Sequence, residues 1–109
     1  MDSILDSIKK LLGIAPEYQH FDSDLVMHIN SVFMILNQLG VGPDEPFSIN
    51  GPQNDWSEFE THQSLELIKT YIFLKVKLMF DPPQNGTLTQ SIKDQIAEFE
   101  WRLNVAVDP

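Results

Sequence analysis

The spacing of apolar positions along the chain predicts four helices, at about residues 3–12, 23–39, 64–80 and 88–106. In these segments apolar residues recur at intervals of three and four, the spacing that gathers them on one side of a helix. The third segment is apolar almost all round, whereas the other three have one main apolar face. The chain is therefore predicted to be all-α, a compact bundle of four main helices in a single domain spanning residues 1–109.

Residues that commonly begin and end helices stand at the predicted boundaries. The predicted N-caps are Ser3, Asp22, Ser64 and Thr87. Thr87 and Gln90 have the spacing of a capping box. Gly13 and Gly40 are predicted to end the first two helices in the left-handed conformation. Asp81-Pro82-Pro83 is predicted to end the third helix, because proline cannot continue one.

A long and partly extended loop, residues 42–62, is predicted between the second and third helices. It contains four large apolar side chains at intervals: Phe47, Ile49, Trp56 and Phe59. Loops of this length are unusual in compact domains and are often functional. The loop is compatible with a small hairpin around Asn50-Gly51, or with a short helix that starts at Asp55 or Ser57 and runs to Phe59.

More apolar surface is predicted than four short helices easily cover. Met27 and Met34 fall opposite the main apolar face of the second helix, and Trp101 falls off the apolar stripe of the fourth. This surplus favours oligomerisation, because Trp and Met are enriched in protein interfaces. The alternative is that each side chain packs inside its own subunit. The candidate interface residues are Met27, Met34, Phe47, Ile49, Trp56, Phe59, Lys75, Trp101 and Arg102.

Lys75 stands in the middle of the most apolar stretch of the chain, residues 71–80. An unpaired ammonium would be too costly to bury there. One interpretation is that the stem is buried while the ammonium reaches water. The other is an ion pair with an acid, for example one from segment 11–68 of a neighbouring subunit.

The net charge of −9 lies in one part of the chain, because no Lys or Arg occurs between Lys10 and Lys69. An acidic field of this kind repels nucleic acid, which argues against DNA binding. The alternative interpretation is a solvated acidic surface that aids solubility. The predicted acidic surface comprises Asp44, Glu45, Asp55, Glu58 and Glu60.

Residues with catalytic or metal-binding chemistry are sparse. The chain has no cysteine, and no nucleophile–base pattern or phosphate-binding loop is present. His20, Asp22, Asp24 and His28 resemble a metal cluster, but acids are favoured at a helix N-terminus in any case. We expect no metal, no cofactor and no enzymatic activity. Lysines interrupt the apolar runs short of the length a membrane span needs, so we expect no membrane association.

Stretches distributed along nearly the whole chain carry a family resemblance. They read ILDSIKKLLGI, HFDSDLVMHINSVFMILNQLGVGP, FSI with WSEF, TYIFLKVKLMFDPP and AEFEWRLNVA. With them the chain resembles small head–tail connector (adaptor) proteins of tailed bacteriophages and prophages. The shared residues are structural ones and not catalytic ones.

The resemblance implies an all-helical subunit that forms a ring of about twelve copies below the portal protein. Such a ring extends the channel through which genomic DNA passes without specific binding, and it receives the downstream neck, stopper or tail protein. The expected location is the neck of the virion, and the host cytoplasm during assembly.

The resemblance also raises a question about the portal contact. Family adaptors often reach the portal with a C-terminal extension, whereas this chain ends at Val107-Asp108-Pro109, directly after the fourth predicted helix. We therefore expect the 42–62 loop to make one of the axial contacts. The rival interpretation of the whole chain is a small acidic interaction or regulatory protein, which mimics DNA charge or binds a partner helix.

Overall fold

Four α-helices carry the fold in the computed structural model, which describes residues 2–107. They are α1 (Ile4–Leu12), α2 (Asp22–Gln38), α3 (Leu65–Phe80) and α4 (Gly86–Val107). No strand is present in the described residues beyond an isolated bridge between Ser3 and Asp55. The predicted all-α bundle of four main helices is confirmed.

Most of the predicted helix ends are confirmed. The Ser3 hydroxyl accepts a hydrogen bond from the Asp6 amide at 3.2 Å, and the Ser64 hydroxyl accepts one from the Leu67 amide at 3.3 Å. Gly13 follows α1 with a φ of 82°, which a residue with a Cβ rarely adopts. Asp81 ends α3 immediately before the two prolines, as predicted.

Two predicted N-caps are wrong. Asp22 is the first residue of α2, and the cap position falls on Phe21, which makes no side-chain capping bond. At α4 the Asn85 side chain accepts hydrogen bonds from the Thr87 and Leu88 amides at 2.8 and 3.2 Å. This helix therefore begins at Gly86 rather than after Thr87, because an asparagine caps as well as a threonine.

The central helix is α3, because the other three helices all pack on it. Phe80 packs edge-on against Phe21 and His28 of the α2 side, with ring centroids 5.1 and 6.4 Å apart. Tyr71, nine residues earlier and so about 180° away around α3, donates a hydrogen bond to Glu100 of α4 at 2.6 Å. Thus α2 and α4 lie on opposite sides of α3.

Most of the apolar surface of α3 is covered within the chain itself, although Met79 is 42% exposed. Ile68, Tyr71, Ile72 and Val76 are completely buried in the core shared by all four helices. A helix that is apolar all round is normally buried on several sides, and α1, α2 and α4 supply those sides. The chain's own helices therefore account for the burial of most of α3.

The long loop between α2 and α3 is bound to α2 by polar and aromatic contacts. The Asn30 side chain donates to the Ile49 carbonyl at 3.0 Å and accepts from the Ile49 amide at 2.8 Å. The rings of Phe47 and Phe59 pack on Phe33 of α2, with centroids 4.9 and 5.1 Å from it. These contacts fix the loop on the bundle.

The second half of this loop forms a short helix rather than a hairpin. A 3₁₀ turn at Trp56–Glu58 follows Asp55, whose side chain and that of Glu58 complete a capping box. The Trp56 indole donates to the Ser7 hydroxyl of α1 at 3.1 Å, and the Trp56 amide donates to the Asp2 carbonyl at 3.2 Å. Of the two alternatives for this part of the loop, the structure has the short helix that follows Asp55 and not the hairpin around Asn50-Gly51.

A completely buried lysine fixes the connection between α1 and α2. Lys9 is 0% exposed, and its ammonium donates to Pro16 O, Tyr18 O and Asp22 Oδ1 at 2.8, 2.7 and 2.8 Å. These three acceptors match the three donors of an ammonium, which is the condition for burying one. The carboxylate predicted to cap α2 is thus used to neutralise Lys9.

Candidate interaction surfaces

The outer face of α2 carries an unpartnered apolar strip. Met27 and Met34 are 60% and 55% exposed, although Leu25, Ile29 and Leu36 of the same helix are completely buried. The two methionines are seven residues apart, so they lie on one side of the helix, away from the core. We call Met27 and Met34 the methionine strip. Methionine side chains are flexible and suit adaptable contacts.

The outer face of α4 carries a second apolar strip. Trp101 is 66% exposed and Val105 is 46% exposed, whereas Leu103 between them is completely buried. Ala97, also exposed, is one turn before Trp101, and Val105 is one turn after it. We call Ala97, Trp101 and Val105 the tryptophan strip. A largely exposed indole is a typical interface anchor.

The two strips face away from each other. The helix α2 packs on the Phe80 side of α3, and α4 packs on the Tyr71 side, so α3 separates them. Each strip lies on the side of its helix that is opposite to the core. The body is also flat, with principal extents of 41 × 36 × 19 Å. The chain therefore presents two different apolar surfaces in opposite directions.

The apolar side chains of the loop do not extend these surfaces. Ile49, Trp56 and Phe59 are at most 4% exposed, and Phe47 is partly buried against the same core. The chain's own helices α1 and α2 cover Ile49, Trp56 and Phe59, so these three candidate interface residues are not available on the surface of the protomer. Lys69 also covers Trp56, with its ammonium 5.3 Å from the centre of the ring.

The two candidate cations of α3 and α4 pair with acids of the same chain. Lys75 is about one quarter exposed, and its Nζ lies 4.0 Å from Glu100 Oε2. Both interpretations of Lys75 thus hold in part, but the acid comes from α4 and not from segment 11–68. Arg102 Nη2 lies 3.3 Å from Glu98 Oε1 in an exposed pair one turn apart, which contributes little stability.

Glu100 is shared between two partners on α3. The Tyr71 hydroxyl donates to Glu100 Oε2, the same oxygen that Lys75 approaches. Burial, together with the hydrogen bond and the negative charge of Glu100, raises the pKa of Tyr71 well above its ordinary value. This arrangement makes Tyr71 a fixed donor that joins α3 to α4.

The loop presents most of the predicted acidic surface. Asp44, Glu45, Glu58 and Glu60 are exposed. Asp55 is partly covered, and the hydrogen bond from the Ser57 hydroxyl lowers the pKa of Asp55 despite some desolvation. A concavity of about 710 Å³ lies beside these acids, with Asp44, Glu60 and His62 in its lining.

Residues 2–107 contain no metal-ligand cluster and no membrane-spanning helix. No three carboxylate or imidazole side chains in that range come together as metal ligands. Of the residues considered for such a cluster, Asp22 pairs with Lys9, and the rings of His20 and His28 pack against Phe21 and Phe80. Across the same range, each helix is too short or too polar to traverse a bilayer.

These features define a small all-α protein with two exposed apolar strips, an acidic loop and, in the described residues, no metal-ligand cluster. The family model described as "Phage connector protein" matches residues 4–109, and the chain belongs to this family. The predicted family is confirmed, and with it a structural role at the head–tail connection of a phage particle. No curated protein and no solved structure matches the chain.

Proposed function

We propose that the chain is the subunit of a head–tail adaptor ring, with about twelve copies docked below the portal. The observation that carries this proposal is the pair of different apolar strips on opposite sides of one flat protomer. A ring is built from heterologous contacts, in which one surface of a subunit meets a different surface of the next. Two unlike surfaces facing opposite ways fit that requirement, whereas a two-fold dimer needs only one.

The distribution of charge supports a channel for DNA. All of the net charge of −9 arises from residues between Lys10 and Lys69, and the acids of the loop are exposed. Like charges give no counterion release, so DNA would pass such a wall without binding to it. In this proposal Asp44, Glu45, Glu58 and Glu60 line or approach the channel.

The long loop is the proposed axial contact with the portal or with the downstream neck protein. It is rigidly held by Asn30 and by the packing of Phe47 and Phe59 on Phe33, so it can offer a preformed surface. The C-terminal residues Asp108 and Pro109 lie outside the described part of the chain.

Co-expression with the portal protein of the same phage tests this function. Negative-stain images of the purified portal are expected to show an added ring of density on one face only when the chain is present. A Met34→Ser/Trp101→Ser double variant should lose this ring. Leu11→Ser is the matched control, because Leu11 is 53% exposed but lies on α1, outside both strips.

A contrary result would favour the rival role of a small acidic regulator. That role predicts a monomer or dimer by light scattering, no added density on the portal, and no difference between the double variant and Leu11→Ser. Binding of a basic partner protein at the acidic concavity beside Asp44 and Glu60 would then be the next measurement.

A further inference from the structure

The contacts of Phe80 with the start of α2 and of Tyr71 with Glu100 indicate that α2 and α4 each run opposite to α3, so heights along both helices can be compared. Phe80 packs on the rings of Phe21 and His28, and its level is taken as midway between these two residues. The Tyr71–Glu100 hydrogen bond sets the level of Trp101 on the other side. At a rise of about 1.5 Å per residue, Met34 and Trp101 both lie roughly 14 Å from the level of Phe80.

In a closed ring, two surfaces that meet must lie at the same height along the ring axis. A subunit related to its neighbour by rotation alone presents each surface at an unchanged height along the axis. We infer that the tryptophan strip of one copy packs on the methionine strip of the next copy, with α4 and α2 running parallel. This contact rests on the proposed ring and assigns its lateral interface.

An oppositely charged pair falls into register on one flank of this contact. Lys93 precedes Trp101 by about 12 Å along α4, and Asp24 precedes Met34 by about 15 Å along α2. Viewed down the helix axis, Lys93 lies about 80° from Trp101 around α4, and Asp24 lies about 80° from Met34 around α2, with the two rotations in opposite directions. When two parallel helices face each other, opposite senses bring both side chains to the same flank.

Lys93 and Asp24 are free to make a contact between copies. Lys93 and Asp24 are both exposed, and within residues 2–107 neither one forms an ion pair or a side-chain hydrogen bond. In the inferred contact the Lys93 ammonium of one copy faces the Asp24 carboxylate of the next. Charge complementarity of this kind fixes register and partner choice more than it adds affinity.

A second complementary pair lies on the other flank. The Asn37 side chain donates to the Asp44 carbonyl at 3.2 Å, which holds Asp44 beside α2 just beyond Met34. Arg102 adjoins Trp101 and projects to the flank of α4 that would face Asp44. Its one ion pair in the described residues is the exposed one with Glu98, which it would lose on contacting Asp44. Lys93 and Arg102 are thus the two bases of α4 placed against acids of α2 and its loop, and the acids Asp94 and Glu98 also lie on this side of α4.

A contact between two copies of the same strip lacks this complementarity. Segment 11–68, which includes all of α2 and the loop, contains no Lys or Arg. Two α2 faces would therefore oppose acid with acid, which costs stability. The charges thus favour the heterologous α4-to-α2 contact over an isologous α2-to-α2 dimer.

Site-specific cross-linking tests the contact, and the natural chain contributes no background because it has no cysteine. Ser31→Cys and Ala97→Cys introduce exposed thiols on the same flank of the two strips, at matching levels. Mixed and assembled on the portal, the two single variants are expected to give a crossed dimer with a short bis-maleimide. The matched control is Gln95→Cys, exposed on α4 but turned away from Trp101.

The possible outcomes separate the contact from the proposed function. Rings that form without Ser31–Ala97 cross-links, or with cross-links between two Ser31→Cys chains, would overturn the contact and leave the adaptor ring standing. Failure to form any ring on the portal would overturn the proposed function and the contact with it. A crossed dimer with Ala97→Cys but not with Gln95→Cys supports the contact.

Charge reversal adds a second readout. Lys93→Glu and Asp24→Lys should each lower the cross-linking yield by about two- to fivefold, the range for an exposed ion pair. Copies that carry both changes should regain the original yield, since the pair is then restored with reversed sign. Additive losses in the double variant, with melting temperatures unchanged, would contradict the pairing of Lys93 with Asp24.

Discussion

Replacing Trp101 with alanine should separate assembly from folding, because the indole contributes little to the protomer core. A tryptophan buries about 200 Å² when fully covered, and Trp101 is 66% exposed. About 130 Å² is thus left for a neighbour to cover, which corresponds to about 3 kcal/mol per contact at 25 cal/mol per Å². The part already covered in the protomer corresponds to about 1 kcal/mol after allowance for the alanine that remains.

Assembly should therefore be far more sensitive to Trp101→Ala than stability is. A loss of about 3 kcal/mol weakens each lateral contact by more than about 100-fold, and every contact of a ring contains one such indole. The protomer should lose only about 5 °C in melting temperature for about 1 kcal/mol. The assays are ring occupancy on the portal by negative stain and thermal unfolding followed by circular dichroism.

Two controls and one contrary result complete this test. Trp101→Phe keeps most of the apolar area and should retain most of the assembly, whereas Leu11→Ala removes exposed apolar area outside the strips and should leave assembly unchanged. If Trp101→Ala unfolds the protomer, or lowers its melting temperature by more than about 15 °C, the indole belongs to the core and the reasoning fails.

Three further predictions concern contacts inside the protomer. Gly42→Ala should lower the free energy of unfolding, measured in urea, by about 2–3 kcal/mol. The reason is that Gly42 has a φ of 94° and an added Cβ would lie 2.6 Å from Phe59 Cζ. Gly86→Ala is the control and should not lower the free energy of unfolding, because Gly86 has open space around it. Lys9→Met should cost about 3 kcal/mol by breaking a buried ion pair, and a loss below about 1 kcal/mol would mean that Pro16 O, Tyr18 O and Asp22 are satisfied by water. Because the folded pKa of Tyr71 is raised, its contribution to stability is complete below the ordinary tyrosine pKa of about 10 and falls as the pH rises above it. Tyr71→Phe should flatten that alkaline decline in urea midpoint, and an unchanged slope would show that another group causes it.

Helix positions followed from the sequence because they depend on local spacing and on a few end signals. Ser3, Ser64 and Gly13 act where the pattern predicted, since each needs only the neighbouring amides or its own φ. Asp22 failed as a cap because a distant charge, Lys9, competes for its carboxylate. A competition between a local and a long-range partner cannot be read from spacing.

The exposure of the candidate interface residues was predictable on the helices but not in the loop. Met27, Met34 and Trp101 lie off the main apolar faces, and the structure leaves them exposed. Whether they contact a neighbour stays a prediction. Ile49, Trp56 and Phe59 carry no periodic pattern, so the sequence offered no way to tell an exposed anchor from a buried one. Lys93 and Val105 were overlooked, because a lone lysine and a valine on a helix give no signal by themselves.

By itself, the sequence determined the four helices, the acidic middle of the chain and the family. These depend on residue spacing, on the signs of charges, and on residues distributed along the whole chain. Only the tertiary structure decided what covers most of α3, how Lys9 is neutralised, and that Met34 and Trp101 stay exposed on two different helices. Those facts depend on which surfaces remain after the helices have packed, and packing joins residues far apart in the chain.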